Sequence, residues 1–243
     1  MWPYPKVIAH RGAGTLAPEN TIAAMQCGLD YGFRAVEFDV MLSKDGVPVL
    51  MHDPLFGRTV TGVGAVATTL AADLLQMDAG SWFSDRFAGE SVPSYENVFR
   101  FCQQNGIWMN VEIKPVPGFE KVTGQTVARV SKELLASGGN LPLFSSFSLD
   151  ALMCAKEEAS DIPRSFLIDQ IDSGWLSALQ DLDAVALHTN QKYLTKSMTA
   201  EIKANGYGLM CYTVNTRERA TEICAWGVDG FCTDRIDLIP SNF

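Results

Sequence analysis

The chain has three histidines in 243 residues, and two of them stand at short spacings from acidic residues. His10-Arg11-Gly12 ends one apolar run and His52-Asp53 ends another, with Glu37-Phe38-Asp39 between them and Glu112-Ile113-Lys114 beyond. Histidine titrates near neutral pH, so a pair can supply both a proton acceptor and a proton donor. Three carboxylates brought together repel one another and raise their own pKa values. A divalent cation relieves that repulsion, and an all-oxygen donor set suits Mg²⁺ or Ca²⁺ better than zinc. Arg11 and Lys114 add two cations. With the ion, the group carries one net positive charge, which is balanced by the single negative charge of a phosphodiester. Metal-assisted chemistry on a phosphodiester is what these side chains could do, provided the fold gathers them.

The surrounding sequence has the alternation that would gather them. Short apolar runs predict strands over Lys6–His10, Ala35–Met41, Val47–His52, Trp108–Lys114, Pro142–Phe147, Arg164–Asp169, Ala184–His188, Leu209–Val214 and Asp229–Thr233. Helical patterns lie over Thr21–Tyr31, Tyr95–Asn105, Phe119–Ala136, Asp150–Ala159, Trp175–Asp181, Thr195–Ala204 and Arg217–Ala225. Alternation of this kind predicts a parallel sheet with helical crossovers. Only Leu42-Ser43-Lys44-Asp45-Gly46 separates the second run from the third. A parallel crossover needs about a dozen residues or more, so that pair must be an antiparallel hairpin, and Asp-Gly is a turn signal for it. Eight parallel strands are left, which predicts a (β/α)8 TIM barrel of one domain over residues 1–243. The hairpin returns His52 to a place opposite Phe38 and Asp39, near the C-terminal end of the second strand, where barrel active sites lie. Residues two apart share a strand face, so Glu37 with Asp39, and Glu112 with Lys114, face the barrel interior while Phe38 and Ile113 meet the helices. The stretch at about 54–92 fits no βα unit and reads as an insertion over the barrel mouth.

Composition narrows the partners. The net charge is −9 and hydrophobic residues make up 47% of the chain. An acidic, ordinary globular chain lacks the clustered Lys and Arg that nucleic-acid backbones or anionic membranes require. No apolar run reaches the roughly 18 residues of a membrane span, and the first residues show no secretory pattern, so a cytoplasmic location without stable membrane association is expected. The six cysteines form no C-x-x-C pair and read as reduced thiols.

Other residues carry weaker signals. Asn20 has the look of a helix N-cap before Thr21. His188 ends a later strand with no motif around it. Phe147 ends the fifth parallel strand and is a candidate substrate contact, whereas Trp82 and Trp226 read as packing. Gly12-x-Gly14-x-x-Ala17, with Glu37 beyond, has the form of a dinucleotide-binding fingerprint. Pro18 stands where that helix should begin, and a dinucleotide site leaves His10, His52, Glu112 and Lys114 unexplained.

Taken as an ordered set, His10-Arg11-Gly12, Pro18-Glu19-Asn20-Thr21, Glu37-x-Asp39-Val40, Val49-x-x-His52-Asp53 and Glu112-Ile113-Lys114 resemble the motifs of the glycerophosphodiester phosphodiesterases. Ser145-Ser146-Phe147, Tyr212-Thr213-Val214-Asn215 and Gly230-Phe231-Cys232-Thr233-Asp234 resemble that family's later strands, and the likeness is to its short cytoplasmic bacterial members. The resemblance implies a barrel of the phospholipase-C-like type, and hydrolysis of small glycerophosphodiesters to an alcohol and sn-glycerol 3-phosphate. It implies that Glu37, Asp39 and Glu112 hold Mg²⁺ or Ca²⁺, that His10 and His52 are general acid and base, and that Arg11 and Lys114 contact the phosphate. Tyr212 stands where the family often has Trp, which bears on the alcohol-side pocket. Two other readings keep the same fold: an enzyme acting on lipid or lysophospholipid diesters, and a barrel that binds phosphodiesters without cleaving them.

Overall fold

The computed structural model describes residues 2–243. Its strands are β1 (Val7–His10), β2 (Ala35–Leu42), β3 (Pro48–Leu50), β4 (Trp108–Ile113), β5 (Leu143–Ser146), β6 (Arg164–Ile168), β7 (Ala186–Asn190), β8 (Gly208–Tyr212) and β9 (Gly230–Thr233). All but β3 are parallel to their neighbours, and β1 pairs with both β2 and β9, so eight strands close into a barrel. The α-helices are α1 (Ile22–Asp30), α2 (Ala71–Leu74), α3 (Tyr95–Gln104), α4 (Glu120–Leu135), α5 (Leu149–Glu158), α6 (Trp175–Leu182), α7 (Lys196–Ala204) and α8 (Arg217–Trp226). All except α2 connect successive barrel strands, which makes this the (β/α)8 barrel expected from the alternation.

Local chemistry marks the helix starts. The side chains of Thr21, Ser94, Ser148, Thr195 and Thr216 each accept the backbone N–H three residues on, satisfying donors the first turn would otherwise leave open. Thr21, not Asn20, is therefore the cap of α1; Asn20 adopts φ +59° and turns its amide elsewhere. β2 is buried along its whole length, as a barrel strand covered on both faces must be. Val36, Phe38 and Val40 pack outward into the main core under the helices, while Ala35 joins Ile8, Trp108, Leu143, Met210 and Cys232 in the barrel floor. Trp2 and Tyr4 close that floor from below.

The hairpin forms as expected, with Val40 opposite Leu50 and Leu42 opposite Pro48. β3 is shorter than the run Val47–His52, because Leu50 donates its N–H to Pro93 O and the chain then leaves the ladder. Met51 and His52 thus follow the strand, and His52 lies at the C-terminal end of the barrel with His10 and Glu37. The insertion builds its own apolar cluster of Val60, Val66, Leu74, Ala79 and Val92 on Met41, Val49 and Met51 of the hairpin. No residue of 54–92 lines the cavity at the C-terminal ends of the strands.

The glycines of the dinucleotide-like motif have a packing role. Gly14 opens a short 3-10 turn (Gly14–Leu16), with φ +56°, and a Cβ there would lie 2.2 Å from the backbone of Asp234. Only glycine lets the loop after β1 approach the loop after β9 this closely. Thr15 N–H donates to Asp234 O across the contact (2.9 Å), so the motif brings Asp234 to His10 and opens no dinucleotide-binding helix.

Candidate active site

The C-terminal ends of the strands surround a cavity of about 170 Å³. His10, Arg11, Glu37, His52, Glu112 and Lys114 form its polar side, and Phe147, Leu167, Met210 and Tyr212 its apolar side. The singled-out residues are thus gathered at one place, with one difference. Asp39 is buried behind the wall, 1% exposed, and does not line the cavity. Lys114 and Phe147 lie one residue past the ends of β4 and β5. His188 is fully buried in the barrel interior against Ser165, far from any cavity-lining role, and burial pushes its pKa down to about 3.

Glu37, Asp39 and Glu112 each offer an oxygen, and these atoms lie within 4.8 Å of one another. Strand register explains the grouping: Asp39 is opposite Glu112 across the β2–β4 ladder, and Glu37 points the same way two residues back. Burial, then the charge of Asp39, pushes Glu37 up to about 7 and Glu112 up to about 8. Burial would raise Asp39 as well, but Lys114 and Arg11 hold it well below the usual carboxylate range. Lys114 Nζ donates to Asp39 Oδ1 (3.1 Å) and lies 3.7 Å from Glu112 Oε1. Asn20 completes the support: its amide donates to Asp39 Oδ2 (2.8 Å) while its carbonyl accepts the Asp39 N–H (3.1 Å). Three oxygen donors, two of them driven toward protonation by burial and by the charge of Asp39, match the needs of a hard divalent cation.

Each cavity histidine is held through Nδ1 by a carboxylate. His10 Nδ1 meets Asp234 Oδ1 at 2.5 Å, and Asn215 Nδ2 donates to the other Asp234 oxygen (2.9 Å). His52 Nδ1 meets Asp53 Oδ1 at 2.7 Å, and Arg58 Nε donates to Asp53 Oδ2 (2.5 Å). Both carboxyl pKa values are depressed against the cost of burial, by His10 and Asn215 at Asp234 and by Arg58 and His52 at Asp53. Ionised carboxylates only accept, so Nδ1 is the donor in each pair and Nε2 is left for the cavity side. His10 Nε2 lies 3.7 Å from Glu37 Oε2. Burial lowers the pKa of both rings. The Asp234 hydrogen bond and the Glu37 charge more than offset it at His10, which ends raised, whereas His52 ends lowered despite Asp39.

Arg11, at φ +51°, donates its backbone N–H to Glu37 Oε2 (3.2 Å) and NH1 to Glu19 Oε1 (2.8 Å). Its Nε is buried without a hydrogen-bond partner, 3.4 Å from Asp39 Oδ2. Across the cavity, Phe147 is half exposed and packs edge-to-face on Tyr212 with centroids 5.9 Å apart, while Tyr212 Oη donates to Ile168 O. Sequence reasoning passed over Asp234, Asn215, Glu19 and Arg58 as site residues.

Two histidine–carboxylate couples, two cations and an acidic triad are thus gathered at the C-terminal end of this barrel. The profile of the Glycerophosphoryl diester phosphodiesterase family matches residues 10–238. The chain belongs to that family. A glycerophosphodiester phosphodiesterase of Caldanaerobacter subterraneus subsp. tengcongensis is 32% identical over 233 residues, covering 94% of this chain and 93% of its own. Another, from Bacillus subtilis, is 29% identical over 95% of this chain and 84% of its own. Among solved structures, an Oleispira antarctica phosphodiesterase in complex with the product sn-glycerol-3-phosphate superposes with TM-score 0.90 and 35% identity, over 98% of this chain and 94% of that one. A glycerophosphodiester phosphodiesterase of Agrobacterium tumefaciens gives TM-score 0.78 at 28% identity, over 96% and 98%. The enzyme class expected from the ordered motifs, a phosphoric diester hydrolase, stands. Among the described residues no helix is long and apolar enough to cross a membrane.

Proposed function

We propose that the chain hydrolyses small glycerophosphodiesters, such as glycerophosphocholine or glycerophosphoethanolamine, to an alcohol and sn-glycerol 3-phosphate at the cavity described above. The observation that carries the reading is the pair of histidines, each oriented through Nδ1 by an ionised carboxylate, set around an acidic triad with Arg11 and Lys114 alongside. The solved Oleispira antarctica relative, bound to sn-glycerol-3-phosphate, supports the choice of product.

Glu37, Asp39 and Glu112 would hold Mg²⁺ or Ca²⁺, which when bound neutralises charge on non-bridging phosphate oxygens. The side chains of the chain do the rest. The Arg11 guanidinium and Lys114 Nζ, both at the cavity, receive the phosphate oxygens and stabilise the charge that builds in the transition state. One imidazole, through Nε2, takes the proton of the attacking hydroxyl: water gives sn-glycerol 3-phosphate directly, whereas the glycerol 2-hydroxyl gives a cyclic phosphate that a water molecule then opens to the same product. The other returns a proton to the departing alkoxide. Asp234 and Asp53 fix the tautomer and the direction of each ring, and Asn215 fixes Asp234. Phe147 and Tyr212 give an apolar wall against which a carbon arm of the diester lies. A cavity of about 170 Å³ suits a glycerol arm of the substrate.

Turnover of glycerophosphocholine and of lysophosphatidylcholine, each followed by product release at matched concentration, tests this. Faster turnover of the soluble diester with glycerol 3-phosphate as product is expected. Preference for the lysophospholipid would move the reading to lipid diesters, and binding of both without turnover would make the barrel a binder.

A further inference from the structure

Arg58 belongs to the insertion and does not line the cavity, yet its guanidinium joins two arms of the site. Along one edge, Nε donates to Asp53 Oδ2 (2.5 Å), and Asp53 Oδ1 accepts from His52 Nδ1 (2.7 Å). Along the other, NH1 and NH2 donate to Glu19 Oε2 and Oε1 (both 2.7 Å), and Glu19 Oε1 accepts from Arg11 NH1 (2.8 Å). A continuous chain, His52–Asp53–Arg58–Glu19–Arg11, therefore runs behind the mouth of the cavity. Its central link needs a planar fork with donors on two edges, which arginine has and lysine lacks.

We propose that Arg58 is a positioning residue for the hydrolysis, holding the His52 imidazole and the Arg11 guanidinium in their working orientations at the same time. The inference rests on the phosphodiester-hydrolysis reading and extends it to the insertion. Without Arg58, Asp53 and Glu19 lose the donors that set their carboxylate planes. His52 Nε2 and the Arg11 guanidinium then lose direction together, although neither residue has been changed. Anchoring of the insertion does not depend on this link, because Val60, Val66, Leu74 and Val92 already bury it against the hairpin. The Arg58 side chain is 45% exposed, and ion pairs at that exposure contribute little to stability.

The test compares kcat and KM on glycerophosphocholine with Mg²⁺ for the wild type, Arg58→Gln, Arg58→Lys and Arg58→Gly. The Asp53→Asn/Glu19→Gln pair is measured with and without Arg58→Gln. Arg58→Gln is expected to lower kcat/KM about 10²-fold, the cost of misplacing a reacting group by about 1 Å. Both parameters move, kcat through His52 and KM through Arg11, while the melting temperature barely shifts. Arg58→Lys recovers part of the loss, and millimolar methylguanidinium, unlike sodium chloride of equal ionic strength, raises the activity of Arg58→Gly. With both carboxylates already neutralised, Arg58→Gln costs no more than about twofold further, because coupled residues do not add. Wild-type turnover left within about threefold by Arg58→Gln would overturn the proposal alone, as would a full further loss in the neutralised background. A wild type that turns over no soluble diester would overturn the hydrolysis reading and this inference with it.

Discussion

Replacing Asp234 by asparagine keeps the size and shape of the group behind His10 and removes its charge. In the structure the carboxylate lies 2.5 Å from His10 Nδ1 and is itself oriented by Asn215. A charge-assisted hydrogen bond of this kind is worth about 1.5–3 kcal/mol, which is roughly 10- to 150-fold in an equilibrium. That energy is what holds the ring with Nδ1 protonated and Nε2 toward the cavity. An asparagine amide presents either a donor or an acceptor to Nδ1, so the ring can settle in the other tautomer with Nε2 already protonated. The floor of the effect is the energy of the lost bond, about tenfold, and the ceiling is the whole contribution of a general acid or base, about 10²–10⁴-fold. Steady-state kinetics on glycerophosphocholine should therefore show Asp234→Asn between the wild type and His10→Ala in kcat. Asp234→Asn/His10→Ala should be no slower than His10→Ala, because the aspartate acts through the ring. Asp234→Asn with wild-type kcat, or a double variant much slower than His10→Ala, would refute the reasoning.

The same geometry sets three further expected outcomes. His188 is neutral in the fold, with its pKa pushed down by burial to about 3, and regains its ordinary value on unfolding. Between those values only the unfolded chain binds the proton, so stability falls as pH drops below about 6.5, by roughly 1.4 kcal/mol per pH unit. Urea unfolding of the wild type should lose about 2 kcal/mol more than His188→Gln between pH 7 and pH 5, and equal losses would contradict a neutral buried ring. Gly14→Ala puts a Cβ 2.2 Å from the Asp234 backbone at φ +56°. It should cost at least about 1–3 kcal/mol in stability from the backbone alone and lower kcat as Asp234 is displaced; unchanged unfolding and kinetics would show that the loop accommodates it. Phe147→Ala removes half of the aromatic wall, so KM should rise several-fold with kcat nearly kept, and a selective fall in kcat would place Phe147 nearer the reacting atoms.

The barrel was legible because its signals are local and repeated. A five-residue gap between two apolar runs leaves room only for a hairpin, and subtracting β3 leaves the eight strands of a closed barrel. The polar site was legible where spacing of two along a strand forces a shared face, as at Glu37 with Asp39 and at Glu112 with Lys114. Sequence adjacency could not show which residues stand behind these. Asp234 lies 224 positions from His10, and the contact depends on the close approach of two loops at Gly14. Arg58 reaches Glu19 across 39 positions from an insertion with no regular periodicity. Asn20 looked like a cap because caps and carboxylate holders share a residue type; its positive φ and the Thr21 cap are what distinguish them. Asp39 behaves in the same way: its face was predictable, but not that the ion pairs of Lys114 and Arg11 keep it behind the cavity wall.

The central claim is metal-assisted hydrolysis of a glycerophosphodiester at the triad of Glu37, Asp39 and Glu112. Release of glycerol 3-phosphate from glycerophosphocholine tests it most directly, measured with EDTA and again after Mg²⁺ or Ca²⁺ is restored, for the wild type and for Glu112→Gln. The account predicts release that EDTA abolishes, that the cation restores in the wild type, and that Glu112→Gln recovers only at much higher cation concentration. Release unaffected by EDTA, or by loss of the Glu112 charge, would contradict it.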